Sequence, residues 1–86
     1  MIHAQEGNNT LFVYSTNEAL TDFEITIQGK DIRERVEQTY PLTIIDFNNS
    51  YFELQLELPV LNSVEWSYQI TSGAQIIDSG LLRYGS

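Results

Sequence analysis

The only histidine of this sequence, His3, is the first residue to consider for catalysis. Nucleophilic catalysis needs a hydroxyl or thiol that is activated by a base, and the base must be held in place by a third group. The chain has no cysteine, and His3 lies in a polar stretch where little could hold an imidazole in place. We therefore interpret His3 as a solvent-exposed side chain, and we expect no catalytic residue and no enzyme activity.

Paired carboxylates are the second candidate chemistry, because two such groups can divide acid–base work between them. Glu53, Glu57 and Glu65 alternate with apolar residues along their segments. This alternation predicts the polar face of a β-strand, where carboxylates are hydrated and do little chemistry. We interpret all three as surface charges.

A calcium loop is the metal-site pattern that the sequence matches best. Asp46, Asn48, Ser50 and Glu57 match the first, third, fifth and twelfth positions of such a loop, but Tyr51 stands where the loop requires glycine. The segment that follows alternates like a strand instead of a helix. No other metal-ligand spacing and no glycine-rich phosphate loop is present. We therefore predict an Asx-rich turn, no metal site and no cofactor.

The charge balance restricts the partners. Twelve acidic residues against four basic ones give a net charge of −8, which repels phosphate backbones and anionic lipid. No apolar run approaches the roughly 20 residues of a membrane helix. Residues 1–10, MIHAQEGNNT, have neither the cationic start nor the apolar core of a signal peptide. We expect no nucleic-acid partner and no membrane partner.

Three segments alternate between apolar and polar residues, as half-buried strands do. Their apolar positions are Phe23, Ile25 and Ile27; Phe52, Leu54, Leu56 and Leu58; and Val64, Trp66, Tyr68 and Ile70. We expect the core to be anchored by Phe23, Ile25, Phe52, Leu54, Trp66 and Tyr68.

Further strands are predicted on either side of these three. Leu11–Ser15 is apolar with little alternation, which predicts a strand contacted on both sides, and Thr43–Phe47 is short and β-branched. Gln75–Asp78 and Leu81–Tyr84 read as one last strand, interrupted at Ser79–Gly80. A glycine inside a strand indicates a bulge or a close backbone approach.

Residues 31–38, DIRERVEQ, fit two structures. Ile32 and Val36 are four residues apart, as on one face of a short helix, but they also share parity on a strand. We favour an edge strand, because charged residues on an edge block unwanted pairing. A short helix is the alternative.

Turn signals at Gly29–Lys30, Asn48–Asn49 and Ser72–Gly73 separate the predicted strands. Six or seven short antiparallel strands with such turns predict an all-β fold, a single two-sheet β-sandwich. We expect residues 1–10 to form a flexible polar arm and residues 11–86 to form the sandwich domain. A domain this small, without disulfides, often gains stability by association.

The last third of the chain resembles a known family. Trp66-Ser67-Tyr68-Gln69-Ile70, a turn, and Ile76-Ile77-Asp78-Ser79-Gly80-Leu81-Leu82-Arg83-Tyr84-Gly85 are similar to the closing hairpin of small Ig-like β-sandwich virion proteins of tailed bacteriophages. The likeness extends in style over most of residues 10–85, and residues 31–38 match it least. The family has no catalytic motif.

The resemblance implies a structural virion protein, most simply a capsid-associated auxiliary or decoration protein. Its partners would be the major capsid protein or other virion proteins, with a homo-oligomer possible, and its location the virion after assembly in the host cytoplasm. A tail or baseplate component is one alternative. Another is an Ig-like or fibronectin-III-like module that binds a host surface glycan or protein, which an exposed Tyr51 beside Asn48–Asn49 would favour.

Three places are expected to supply the contacts of such a protein: the N-terminal arm, a basic edge and the last strand. The candidate residues are Ile2, His3, Lys30, Arg33, Arg35, Arg83 and Tyr84.

Overall fold

The computed structural model describes residues 1–15, 17, 19–29, 37–48, 50–62 and 64–85. In this part of the chain there are eight β-strands and no helix. The strands are β1 Ile2–Ala4, β2 Gly7–Tyr14, β3 Phe23–Gly29, β4 Glu37–Pro41, β5 Thr43–Asn48, β6 Tyr51–Leu58, β7 Glu65–Ser72 and β8 Gln75–Tyr84. The all-β prediction is therefore confirmed, but the described residues form eight strands and not the expected six or seven.

The strands form two sheets. One has five strands in the order β1-β8-β7-β3-β4, and the other has three in the order β2-β6-β5. The sheets face each other in a sandwich-like arrangement: the rings of Phe23 in β3 and Phe52 in β6 are 5.0 Å apart, centroid to centroid. The strand pairs of the described residues are antiparallel except β1 with β8, which is parallel. The prediction of antiparallel strands alone is wrong for that pair.

The space between the sheets is filled by the apolar positions of the alternating segments. β3, β6 and β7 contribute most of these side chains, because alternate residues of a strand point to the same face of its sheet. The expected anchors are all buried, from fully enclosed to 7% exposed: Phe23, Ile25, Phe52, Leu54, Trp66 and Tyr68. Val64 lies just before β7 and is exposed.

The expectation of a flexible arm over residues 1–10 is wrong, because both sheets incorporate these residues. β1 pairs with the end of β8, and β2 pairs with β6 from Gly7 onward. Gly7 has φ +94°, a left-handed conformation that lets the chain cross from one sheet to the other. Asn9 fixes this crossing: its Oδ1 accepts a hydrogen bond from the Gln5 N–H at 2.9 Å, and its Nδ2 donates to the Gln5 carbonyl.

The last strand is continuous through the interruption at Ser79–Gly80. Its irregularity lies earlier, where Ile70 pairs with Asp78 and Thr71 with Ile76, so that Ile77 bulges from the ladder. Gly80 instead allows a close approach: a Cβ there would lie 3.2 Å from the hydroxyl oxygen of Tyr68. The glycine in the sequence therefore indicated a close approach, in which β8 leaves space for the side chain of Tyr68.

The segment 31–38 is described only at its end. Residues 37 and 38 belong to β4, which is an edge strand of the five-stranded sheet. Residues 31–36 lie outside the described residues, and so do Lys30, Arg33 and Arg35.

Replacing Leu54 with alanine tests the assignment of the core. Leu54 is 0% exposed in the central strand of the three-stranded sheet, whereas Leu81 in β8 is 44% exposed. We expect Leu54→Ala to lower the free energy of unfolding by about 2–5 kcal/mol, and Leu81→Ala by less than about 1 kcal/mol. Urea denaturation followed by tryptophan fluorescence measures both values, and equal losses would contradict this core.

Removing residues 1–4 tests the place of β1. The deletion takes away the buried Ala4 and the strand that covers the edge of β8. We expect it to lower the free energy of unfolding by about 1–3 kcal/mol. The matched variant His3→Ala, which alters only an exposed side chain, should stay within about 0.5 kcal/mol of the parent chain. An unchanged urea midpoint for the truncated chain would restore the flexible-arm interpretation.

Candidate functional site

The outward side of the three-stranded sheet carries a cluster of aromatic and acidic side chains. Cross-strand pairing places Tyr14 opposite Tyr51, and Phe12 opposite Glu53. On the other side of β6, Asn48 is opposite Tyr51 and Asp46 is opposite Glu53. We call this surface the aromatic–acidic face, and its members are Phe12, Tyr14, Asp46, Asn48, Tyr51 and Glu53.

The three aromatic rings of the face are in edge-to-face contact. The ring of Tyr51 lies 5.8 Å from that of Phe12 at an angle of 73°, and 6.1 Å from that of Tyr14 at 65°. The side-chain amide of Asn48 donates a hydrogen bond to the Tyr51 hydroxyl at 3.0 Å. Tyr51 is half-buried between its neighbours, whereas Phe12 is 52% exposed and Tyr14 is 79% exposed. Two ring surfaces are therefore offered to the solvent.

The two acidic residues of the face are cross-strand neighbours. Glu53 and Asp46 are direct cross-strand partners, and like charges in such positions destabilise a sheet. β2, β5 and β6 contain Asp46, Glu53 and Glu57 but no Lys, Arg or His. No basic side chain from these three strands offsets the repulsion. The face therefore combines negative charge with exposed π-electron surface, and both features attract cations.

A bulge in β5 interrupts the pairing next to Asp46. The pairing of β5 with β6 shifts between Ile44 and Asp46, so that Ile45 has no partner on β6. Ile44 and Ile45 are 41% and 50% exposed. Bulges on edge strands re-aim side chains and hinder edge-to-edge pairing. Across the bulge, Ile44 is the partner of the buried Leu54, whereas Asp46 is the partner of Glu53 on the outward side.

The structure brings four of the seven predicted contact residues together at the β1–β8 edge. His3 pairs with Arg83, Ile2 with Leu82, and Ala4 with Tyr84. His3 and Arg83 are exposed, whereas Ile2 and Tyr84 are half-buried. The other three predicted contacts, Lys30, Arg33 and Arg35, lie outside the described residues.

Sequence reasoning missed most of the aromatic–acidic face because the last four residues of β2, Leu11–Tyr14, are apolar on both sides. Leu11 and Val13 point into the core while Phe12 and Tyr14 are exposed, so the prediction of a strand contacted on both sides is wrong. Four consecutive apolar residues hide the period of two that would have separated the faces. Of the three aromatic residues of the face, the sequence indicates Tyr51 alone as a contact candidate, from its place beside an asparagine turn.

One buried tyrosine has a strongly shifted pKa. The hydroxyl of Tyr68 donates a hydrogen bond to Oδ2 of Asp78 at 3.1 Å. Burial, and then the charge and hydrogen bonding of Asp78, raise the pKa of Tyr68 to about 12. Burial also raises the pKa of Tyr40. The neutral hydroxyl of Tyr68 therefore links β7 to β8 through Asp78, and we interpret this hydrogen bond as a contribution to stability.

The described residues were compared with the requirements of a metal site and of a membrane span. Over these ranges, no three His, Asp or Glu side chains lie close enough together to hold a metal ion. The same part of the chain contains no helix long and apolar enough to cross a membrane.

Alkaline unfolding tests the environment of Tyr68. Below its ordinary pKa of 10.0 this hydroxyl is protonated in both the folded and the unfolded chain, so its contribution is fully present. Between pH 10.0 and about 12 the unfolded chain releases this proton first, and the free energy of unfolding falls.

We expect Tyr68→Phe to lose less stability than the parent chain over this interval, as measured by urea denaturation at a series of pH values. Tyr14→Phe, at an exposed position, is the control and should follow the parent chain. An alkaline loss that is the same with and without the Tyr68 hydroxyl would contradict its raised pKa.

Comparison with known proteins adds no family assignment. No protein-family model, no curated protein and no solved structure matches this chain.

Proposed function

We propose that this chain is an Ig-like structural protein of a tailed-bacteriophage virion, a capsid-associated auxiliary or decoration protein that docks on the shell by protein–protein contacts. The observation that carries the proposal is the aromatic–acidic face. It places two exposed aromatic side chains and a half-buried tyrosine on a solvent-facing sheet. Aromatic side chains that become buried contribute much of the binding energy of protein interfaces. Phe12 and Tyr14 are exposed here and could be buried by a partner.

The strand order supports the Ig-like assignment. In the sheets of an Ig fold, strands B, E and D are neighbours, and strands G, F, C and C′ are neighbours on the opposite side. The orders β2-β6-β5 and β8-β7-β3-β4 follow the same arrangement. β1 then corresponds to the first strand of an Ig fold, and here it pairs with the last strand, β8. The disulfide of antibody domains has no counterpart, because the chain has no cysteine.

The shape of the face supports a protein partner. It lies on the outward side of three paired strands, and the surface of a sheet suits the flat contacts of a shell. A standard interface buries about 800 Å² per partner, and attachment in many copies multiplies weak contacts. A small domain with extents of 41 × 26 × 18 Å can present one sheet to a shell and leave the other sheet in solvent.

A glycan-binding or protein-binding module is the second candidate, and Tyr51 beside Asn48 is the observation that favours it. A sugar ring stacks best on a flat aromatic platform. The rings here meet at 65° and 73°, so they do not form one plane. The geometry therefore favours a protein as the partner.

Peptide mass spectrometry of gradient-purified particles tests the proposal. The particles come from the source that encodes the chain, with heads and tails analysed separately. We expect stoichiometric recovery of the chain in the head fraction. Recovery in the tail fraction alone would replace the capsid assignment with a tail or baseplate component. Absence from all particle fractions would overturn the virion proposal.

Two double variants show whether the aromatic–acidic face makes the attachment. Phe12→Ser with Tyr14→Ser removes its exposed rings, and we expect this variant to be lost from the head fraction. Ile76→Ser with Leu81→Ser is the matched control, because it removes two exposed apolar side chains from β8 in the other sheet. The control should remain on the particles, and equal retention of both variants would overturn docking through this face.

A further inference from the structure

We propose that the aromatic–acidic face binds a basic segment of the partner protein, with an arginine or lysine side chain placed against the rings of Phe12 and Tyr14 and paired with Glu53 and Asp46. The inference deepens the proposed function and rests on it only for the statement that the occupant belongs to a protein. The chemistry of the face itself selects the charge of that occupant.

The like-charge pair is the first argument for a cation. Glu53 and Asp46 face each other across β6 and β5, and this juxtaposition costs stability in the free chain. The three strands of this sheet provide no basic side chain to relieve it. A guanidinium or ammonium group from a partner would be attracted by both carboxylates at once, and its positive charge would offset the repulsion that they exert on each other in the free chain.

The neighbouring aromatic rings are the second argument. Phe12 is the direct cross-strand partner of Glu53, which brings their Cβ atoms to about 4.5–5.5 Å of each other. A cation attracted to the Glu53 carboxylate is therefore within the roughly 6 Å over which an aromatic face attracts it. Arginine suits this combination best, because a planar guanidinium can stack on a ring while its N–H groups bind a carboxylate.

The position of the face in the fold favours an extended segment. β2 is an edge strand, so Phe12 and Tyr14 lie at a border of the sheet that a passing chain can reach. β2 itself, GNNTLFVY, contains no charged residue that would keep such a chain away. The net charge of −8 attracts a basic segment from a distance and repels acidic competitors.

Titration of the isotope-labelled full chain with short synthetic peptides tests this assignment by NMR. One peptide alternates arginine with glycine, and the matched peptide carries citrulline in place of each arginine, which keeps the shape and removes the charge. We expect the arginine peptide to shift the ring signals of Phe12, Tyr14 and Tyr51 and the side-chain amide signal of Asn48. We also expect it to bind at least about tenfold more tightly than the citrulline peptide, with affinity falling as salt is added.

Single-residue variants place the binding on the face. We expect Glu53→Gln to weaken the arginine peptide by about fivefold, and Tyr14→Ser to weaken it by a similar factor. Glu65→Gln removes the same charge from an exposed position in β7 and should change the affinity by less than about twofold. Tyr14 is 79% exposed, so Tyr14→Ser leaves the core intact, and amide-signal dispersion in the same spectra verifies folding.

Several results would overturn the inference. These are equal binding of the arginine and citrulline peptides, shifts spread evenly over all acidic surfaces, and an equal effect of Glu65→Gln and Glu53→Gln. The outcome is separable from that of the particle experiment. Peptide binding at the face, with the chain absent from particles, would refute the virion proposal and leave the basic partner standing. Recovery on particles without peptide binding would support the virion proposal and refute the basic partner.

Discussion

The packing of the two sheets against each other is the interaction on which the rest of the structure depends. Phe23 and Phe52 meet across the interior at 5.0 Å between ring centroids, and fully buried Ile25 and Leu54 extend the same layer. With no disulfide and few residues to bury, this layer is the main source of stability. It also fixes which side of each strand faces outward, and so determines that Phe12, Tyr14 and Glu53 share one solvent-facing surface.

The closing strands show how the core sets local geometry. Tyr68 points inward from β7 and needs both space and a partner for its hydroxyl. Gly80 supplies the space on β8 and Asp78 supplies the acceptor. The sequence of this hairpin is therefore constrained by one part-buried polar contact. The outward side of β2 and β6 has no such buried contact to satisfy, and we propose that it binds the partner protein.

The sequence predicted strands best where apolar and polar residues alternate. Phe23–Ile27 and Phe52–Leu58 alternate clearly, and the all-β class follows from them. β2 defeated the same reasoning because Leu11, Phe12, Val13 and Tyr14 are all apolar, so only cross-strand register separates inside from outside. The first ten residues read as an arm because Gly7 and the asparagines look like loop formers, although they form the crossing between the sheets and the start of β2. Such pairings are long-range, and local composition does not encode them.

Hydroxyl-radical footprinting of the chain, free in solution and bound to purified particles, tests most directly that the outward side of the three-stranded sheet is the docking surface. The method measures the oxidation of individual exposed side chains. Our account predicts that Phe12, Tyr14 and Tyr51 lose reactivity on the particle, while Ile76 and Leu81 on the opposite sheet keep theirs. Protection confined to β1 and β8, or no protection at the aromatic rings, would contradict it.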